Sequence, residues 1–92
     1  MYSKRTVIKN KTGLHARPAS EFIAAASKFQ SRITIKKLSA GQDANAKSIV
    51  MLLSLGLNQG EEVELIARGE DEIEAVDTLV ALIDGGFGEL DQ

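Results

Sequence analysis

The chain has 92 residues, 43% of them hydrophobic and 26% charged, with eight glycines and one proline, the make-up of an ordinary soluble globular protein. That length suits one domain over residues 1–92, with a two-layer core and no room for a second. Eleven basic against thirteen acidic residues leave a net charge of −2 and no electrostatic case for nucleic-acid binding. The lack of cysteine rules out a disulfide framework, and no apolar run is long enough for membrane insertion.

Tyr2 to Lys9 reads as a strand, with Thr6 and Ile8 on one face and Arg5, Val7 and Lys9 on the other. Turn residues Asn10-Lys11-Thr12-Gly13 break it. From Ala16 to about Lys28 the spacing is helical: Ala19, Phe22, Ile23 and Ala26 form one apolar stripe, with Glu21 and Lys28 off it. Arg32 to Leu38 alternates again, Ile33 and Ile35 opposing Thr34 and Lys36. The polar turn at Ser39 to Asp43 leads into a short, weakly hydrophobic strand over about residues 42–46.

Ser48 opens a second helix, Ile49 to Ser54, apolar on nearly all sides and ended by Gly56. Such a helix leaves an exposed apolar patch, a common kind of contact surface. After the turn Leu57-Asn58-Gln59-Gly60, Glu62 to Arg68 alternates with Val63, Leu65 and Ala67 inward. The acidic start Glu70-Asp71-Glu72 suits a helix N-terminus, and Ile73, Val76, Val80, Ile83 and Phe87 continue at helical spacing, supported by Leu79. The order β-α-β-β-α-β-α, with one apolar face per strand and one stripe per long helix, predicts an α+β fold. Helices cover one face of the sheet and water the other.

The chemistry gathers at Gly13-Leu14-His15-Ala16-Arg17-Pro18, which holds the only histidine. Proline suits the first turn of a helix, so His15 stands at or just before a helix N-terminus, with Arg17 beside it. Unpaired N–H groups and the positive end of the helix dipole collect there. Two readings stay open on these residues alone: a surface or capping histidine, or an imidazole that accepts and returns a phosphoryl group. A Cys/His zinc site would need carboxylates or a second chain, so no metal is expected, and a hydrolytic triad has little support.

The chain resembles the HPr family, the histidine-containing phosphocarriers of the bacterial phosphoenolpyruvate-dependent sugar phosphotransferase system. The resemblance spans essentially the whole chain. It rests on Thr12 to Ala19 and Ala46-Lys47-Ser48-Ile49, then Leu55-Gly56, Gly60 and Gly69-Glu70-Asp71-Glu72. It implies an open-faced β-sandwich, a four-stranded antiparallel sheet with three helices on one side. It also implies that His15 takes a phosphoryl group on Nδ1 from phosphorylated enzyme I and passes it to sugar-specific enzyme IIA components. Arg17 would then stabilise the phosphate, with backbone N–H groups of Ala16 and Arg17 as further donors. No cofactor is implied.

By the same resemblance Ser48 is a regulatory phosphorylation site, which brings in an HPr kinase/phosphorylase and a catabolite-control transcription factor. A helix N-cap explains the serine equally well, and the two roles are compatible. Met51 stands where the family commonly has glycine, and the turn at Ser39 to Gln42 is longer than usual. With few cations on the first helix beyond Arg17 and Lys28, partner binding is expected to lean on apolar Ile49, Val50 and Leu53, with Lys47 adding charge. Two alternatives stand beside the sugar carrier: a regulatory HPr-like protein acting through phosphorylated Ser48, and a carrier in a nitrogen-related or dihydroxyacetone-kinase relay. A monomer is expected, since a carrier must show His15 to successive partners. The first residues, Met1-Tyr2-Ser3-Lys4-Arg5, lack the apolar stretch of a signal peptide, so a cytoplasmic location is expected.

Overall fold

The computed structural model describes residues 1–89. In chain order the elements are β1 (Tyr2–Val7), α1 (Ala16–Ala26), β2 (Arg32–Lys37), β3 (Gln42–Asn45), α2 (Ile49–Ser54), β4 (Glu62–Arg68) and α3 (Glu72–Asp84), followed by a 3₁₀ turn at Gly86–Gly88. The order is the one that the sequence predicts. Among the described residues the strands form one sheet, β1-β4-β2-β3, in which every neighbouring pair is antiparallel.

The period-2 patterns sort the two faces of this sheet. Ile33 and Ile35 of β2, Ala44 of β3, and Val63, Leu65 and Ala67 of β4 are buried beneath the helices. They meet Ala19, Phe22 and Ala26 of α1, Leu52 of α2, and Ala75, Val76, Leu79 and Ile83 of α3 in one core. On the opposite, uncovered face Arg5, Glu64, Lys36 and Asp43 stand side by side across all four strands, alternating in sign. Opposite charges on facing residues support the pairing register.

β1 is an edge strand, and α3 holds it. The Tyr2 hydroxyl donates to Asp77 at 3.0 Å, the Thr6 hydroxyl donates to Asp84, and Lys4 pairs with Asp77 at 2.7 Å. The ladder stops at Val7, two residues short of the expectation. Ile8 is nonetheless tied on both sides, donating to the Glu61 carbonyl and accepting from the Gly60 N–H.

Other details also differ from the sequence reading. α1 ends at Ala26 rather than near Lys28, because Lys28 and Phe29 donate to carbonyls three residues back and tighten the chain into a turn. Ile73 lies outside the buried stripe of α3 and is 57% exposed. Asp71 accepts hydrogen bonds from the N–H groups of Gln30 and Ser31 and from the Ser31 hydroxyl, which anchors the start of α3 to the entry of β2. With the helix so placed, Ala75, Val76, Leu79 and Ile83 face the sheet. Phe87 is buried but not as part of α3. The helix ends at Asp84, and a left-handed backbone at Phe87 (φ 56°) carries its ring into the core.

Candidate functional site

His15 is the N-cap of α1, with extended backbone (φ −132°, ψ 162°), and Pro18 is buried in the first turn. Ala16 between them has φ 51°, a left-handed conformation that costs a residue with a Cβ about 1 kcal/mol. Helix geometry leaves the N–H groups of Ala16 and Arg17 without partners four residues earlier. The imidazole does not cap its own helix. It is half-buried, and its Nε2 lies 2.9 Å from Oδ1 of Asn58. An amide oxygen only accepts, so Nε2 is the donor in this contact, and in the neutral ring that tautomer leaves the lone pair on Nδ1.

Gly13 makes this contact possible. Its φ is +70°, and a Cβ there would collide with the Leu57 carbonyl oxygen, approach the Asn58 Cα to 2.9 Å and press the His15 ring at 3.3 Å. The neighbouring Leu14 N–H donates to that same Leu57 carbonyl at 2.9 Å. The loop before α1 and the loop before β4 are thus clamped together, which sets Asn58 beside His15.

Arg17 is 63% exposed and lies between two carboxylates, with Glu21 at 2.9 Å one turn along α1 and Glu89 at 3.5 Å. Glu89 also accepts from Asn10 Nδ2 at 3.1 Å and from the Thr12 hydroxyl at 2.9 Å. Those hydrogen bonds, Asn10 first and Thr12 second, with the Arg17 charge behind them, hold the Glu89 carboxyl below the usual glutamate range. Buried Asn10 further donates to the Gly13 carbonyl at 3.0 Å. The site therefore brings together an imidazole held through Nε2, backbone donors at a helix start and an exposed guanidinium.

The residues singled out in the second motif sit apart from this cluster. Ser48 is the N-cap of α2, its hydroxyl oxygen accepting from the Met51 N–H at 3.3 Å. Lys47 donates its ammonium to the Phe29 carbonyl at 2.6 Å, so part of its charge is already engaged. Ile49, Val50, Met51 and Leu53 are exposed, Val50 most at 75%, while Leu52 alone of this helix is buried. Lys37 donates to the carbonyls of Leu55 and Gly56 and so caps the other end of α2, where the helix dipole favours a cation. No hydrogen bond among the described residues joins Ser48 to His15 or Arg17. Asn58 and Glu89 were not found by sequence reasoning. Asn58 lies 43 positions from His15 and Glu89 lies 72 from Arg17, beyond any local pattern. Among the described residues no three His, Cys, Asp or Glu side chains gather as a metal-binding group, and no helix is long and apolar enough to cross a membrane.

A family model described as the PTS HPr component phosphorylation site matches residues 2–85. The chain is 48% identical to the phosphocarrier protein HPr of Haemophilus influenzae, over 90% of this chain and 95% of that one. It is 40% identical to the phosphocarrier protein NPr of Proteus mirabilis, over 94% of each. To the HPr-like protein Crh of Bacillus subtilis it is 45% identical, over 90% and 95%. A crystal structure of HPr from Thermoanaerobacter tengcongensis superimposes with a TM-score of 0.93 at 52% identity, covering 97% of this chain and 98% of that one. An HPr dimer from the same organism matches with a TM-score of 0.76 at 54% identity, covering 91% and 94%.

Proposed function

Because the chain belongs to the HPr family of phosphotransferase-system phosphocarriers, we propose that it accepts a phosphoryl group on Nδ1 of His15 from phosphorylated enzyme I and passes it to enzyme IIA components for sugar uptake. The observation that carries this reading is the 2.9 Å contact between His15 Nε2 and Asn58 Oδ1. It leaves the Nδ1 lone pair free to attack phosphorus. The phosphorus–nitrogen bond forms as the bond to the donor breaks, and no proton has to leave the attacking atom. The proton on Nε2 stays hydrogen-bonded to Asn58 Oδ1 throughout, so the imidazole keeps its orientation in both states.

Arg17 supplies charge to the incoming phosphoryl oxygens. Its pairs with Glu21 and Glu89 are surface ion pairs of small net value. A phosphate on His15 can therefore draw the guanidinium across, and transfer onward releases it again. Free N–H groups at Ala16 and Arg17 add donors without a further charge. The carrier is a covalent intermediate rather than a catalyst, and it works in the cytoplasm as a monomer. The place of half-buried His15 at a helix tip suits successive partners, and the apolar surface of Ile49, Val50 and Leu53, with Lys47 at its edge, is where they dock.

Ser48 phosphorylation by an HPr kinase/phosphorylase regulates this traffic. The phosphate would sit at the N-terminus of α2, where the fold tolerates it. Enzyme I would have to desolvate a charge of about −2 within an apolar contact. The modified surface suits a catabolite-control transcription factor instead. Overall identity does not separate the sugar carrier from the NPr-like and Crh-like branches. The presence of both His15 and Arg17 at the start of α1 favours a carrier over a purely regulatory protein.

The test is incubation with enzyme I, magnesium and phosphoenolpyruvate. The bound phosphate is expected to be acid-labile and base-stable, and absent from His15→Ala. Acid-stable label, or label retained in the variant, overturns the assignment.

A further inference from the structure

The uncovered face of the sheet departs once from its alternation of charge. Arg32 of β2 and Arg68 of β4 are direct register partners, both exposed, at the end of the sheet away from the β1–α1 loop. Like charges directly opposite one another, with Cβ atoms about 5 Å apart, oppose strand pairing. Among the described residues neither guanidinium has a carboxylate within 4.0 Å. Glu72 feels the Arg68 charge only beyond ion-pair distance, because its carboxylate is taken by the Met1 ammonium at 3.1 Å and the Gly69 N–H at 3.1 Å. Arg68 reaches only the Met1 sulfur at 3.6 Å.

The two arginines border a groove of about 640 Å³, whose other walls are Gln30, Thr34, Ile66 and Ala67. That volume falls within the range of small-molecule sites and exceeds what a bare oxyanion needs. Two adjacent guanidiniums match the oxygens of a phosphate dianion. Thr34 and Gln30 add neutral hydrogen-bonding groups, and half-buried Ile66 offers an apolar floor. The geometry points to a second anion site, on the open face of the sheet, that binds a small phosphomonoester through Arg32 and Arg68 with its organic part over Ile66. A bound dianion neutralises the repulsion between the arginines, so the same contact that confers affinity relieves the sheet. The site is independent of His15 chemistry.

The experiment is an NMR titration of the ¹⁵N-labelled full chain with phenyl phosphate and, separately, inorganic phosphate, each against sodium chloride at equal ionic strength. The amides of Arg32, Thr34, Ile66 and Arg68 are expected to shift and saturate, with phenyl phosphate binding several-fold more tightly than inorganic phosphate. Arg32→Gln, and separately Arg68→Gln, should each weaken that binding about tenfold, the loss of one exposed charged contact. Shifts at Ala16 and Arg17, which report the His15 site, should be unchanged in both variants. Both should unfold no more readily than the parent in chloride, since each removes a like-charge opposition. Three results overturn the proposal: shifts that fail to saturate and match those at Lys36, binding unaltered in either variant, or equal affinity for the two anions.

Discussion

Replacing Gly13 with alanine should damage fold and site together, and the structure sets the size of the effect. A left-handed φ of +70° costs an alanine about 1 kcal/mol relative to glycine. The added methyl would overlap the Leu57 carbonyl oxygen, so the Leu14–Leu57 hydrogen bond must lengthen or break, which costs about 0.5–1.5 kcal/mol. The push against Asn58 Cα adds to this, and the sum is about 2–4 kcal/mol. For a domain of this size that is a fall in melting temperature of roughly 10 °C or more. Urea denaturation gives the free energy, and His15 phosphorylation by enzyme I, measured well below the transition, gives the consequence for the site. Backing the Asn58 loop away from the ring should slow phosphorylation of the still-folded protein. A loss below 1 kcal/mol with an unchanged rate would refute the claim that this close approach builds the site.

Asn58→Ala should change stability by less than about 1 kcal/mol, because the hydrogen bond is exposed, yet slow phosphoryl acceptance several-fold by freeing the Nε2 proton; imidazole ¹⁵N shifts report the tautomer directly. Arg17→Ala should leave the melting temperature nearly unchanged and reduce the transfer rate clearly, as stopped-flow or quenched-flow labelling would show. Ser48→Ala removes the cap of a short helix and should cost about 0.5–1 kcal/mol in urea unfolding. Hydrogen bonds from Ser31 and Gln30 lower the Asp71 carboxyl, and those from Asn10 and Thr12 lower that of Glu89. Their stabilisation is therefore present above the ordinary carboxylate range and lost as pH falls through the lowered values. The urea midpoint should drop on acidification below about pH 4, and less steeply in Asp71→Asn.

Much of this was legible in the chain because the signals are local. Period-2 runs at Ile33-Thr34-Ile35 and Val63-Glu64-Leu65 mark both the strands and their buried face. The proline three residues after His15 places the histidine at a helix start, and Ser48 before an apolar run marks a second cap. What escaped depends on distant partners. The buried face of α3 follows from the grip of Ser31 and Gln30 on Asp71, so periodicity counted Ile73 inward. Phe87 shares the helical spacing, but glycines on either side release it into a left-handed turn. Asn58 reads as one turn residue among several, and only the Gly13–Leu57 approach makes it a neighbour of His15. The tie of Lys47 to the Phe29 carbonyl is equally invisible without the packing of β3 beside β2.

The proposed acceptance of phosphate on Nδ1 of His15, with Asn58 holding the proton on Nε2, is open to spectroscopy. Its most direct test is the ¹⁵N and ³¹P NMR spectrum of the protein phosphorylated by enzyme I with its imidazole labelled. Phosphorus should couple to Nδ1, with a protonated Nε2 whose shift changes on Asn58→Ala. Coupling to Nε2, or phosphate on any residue other than His15, would contradict it.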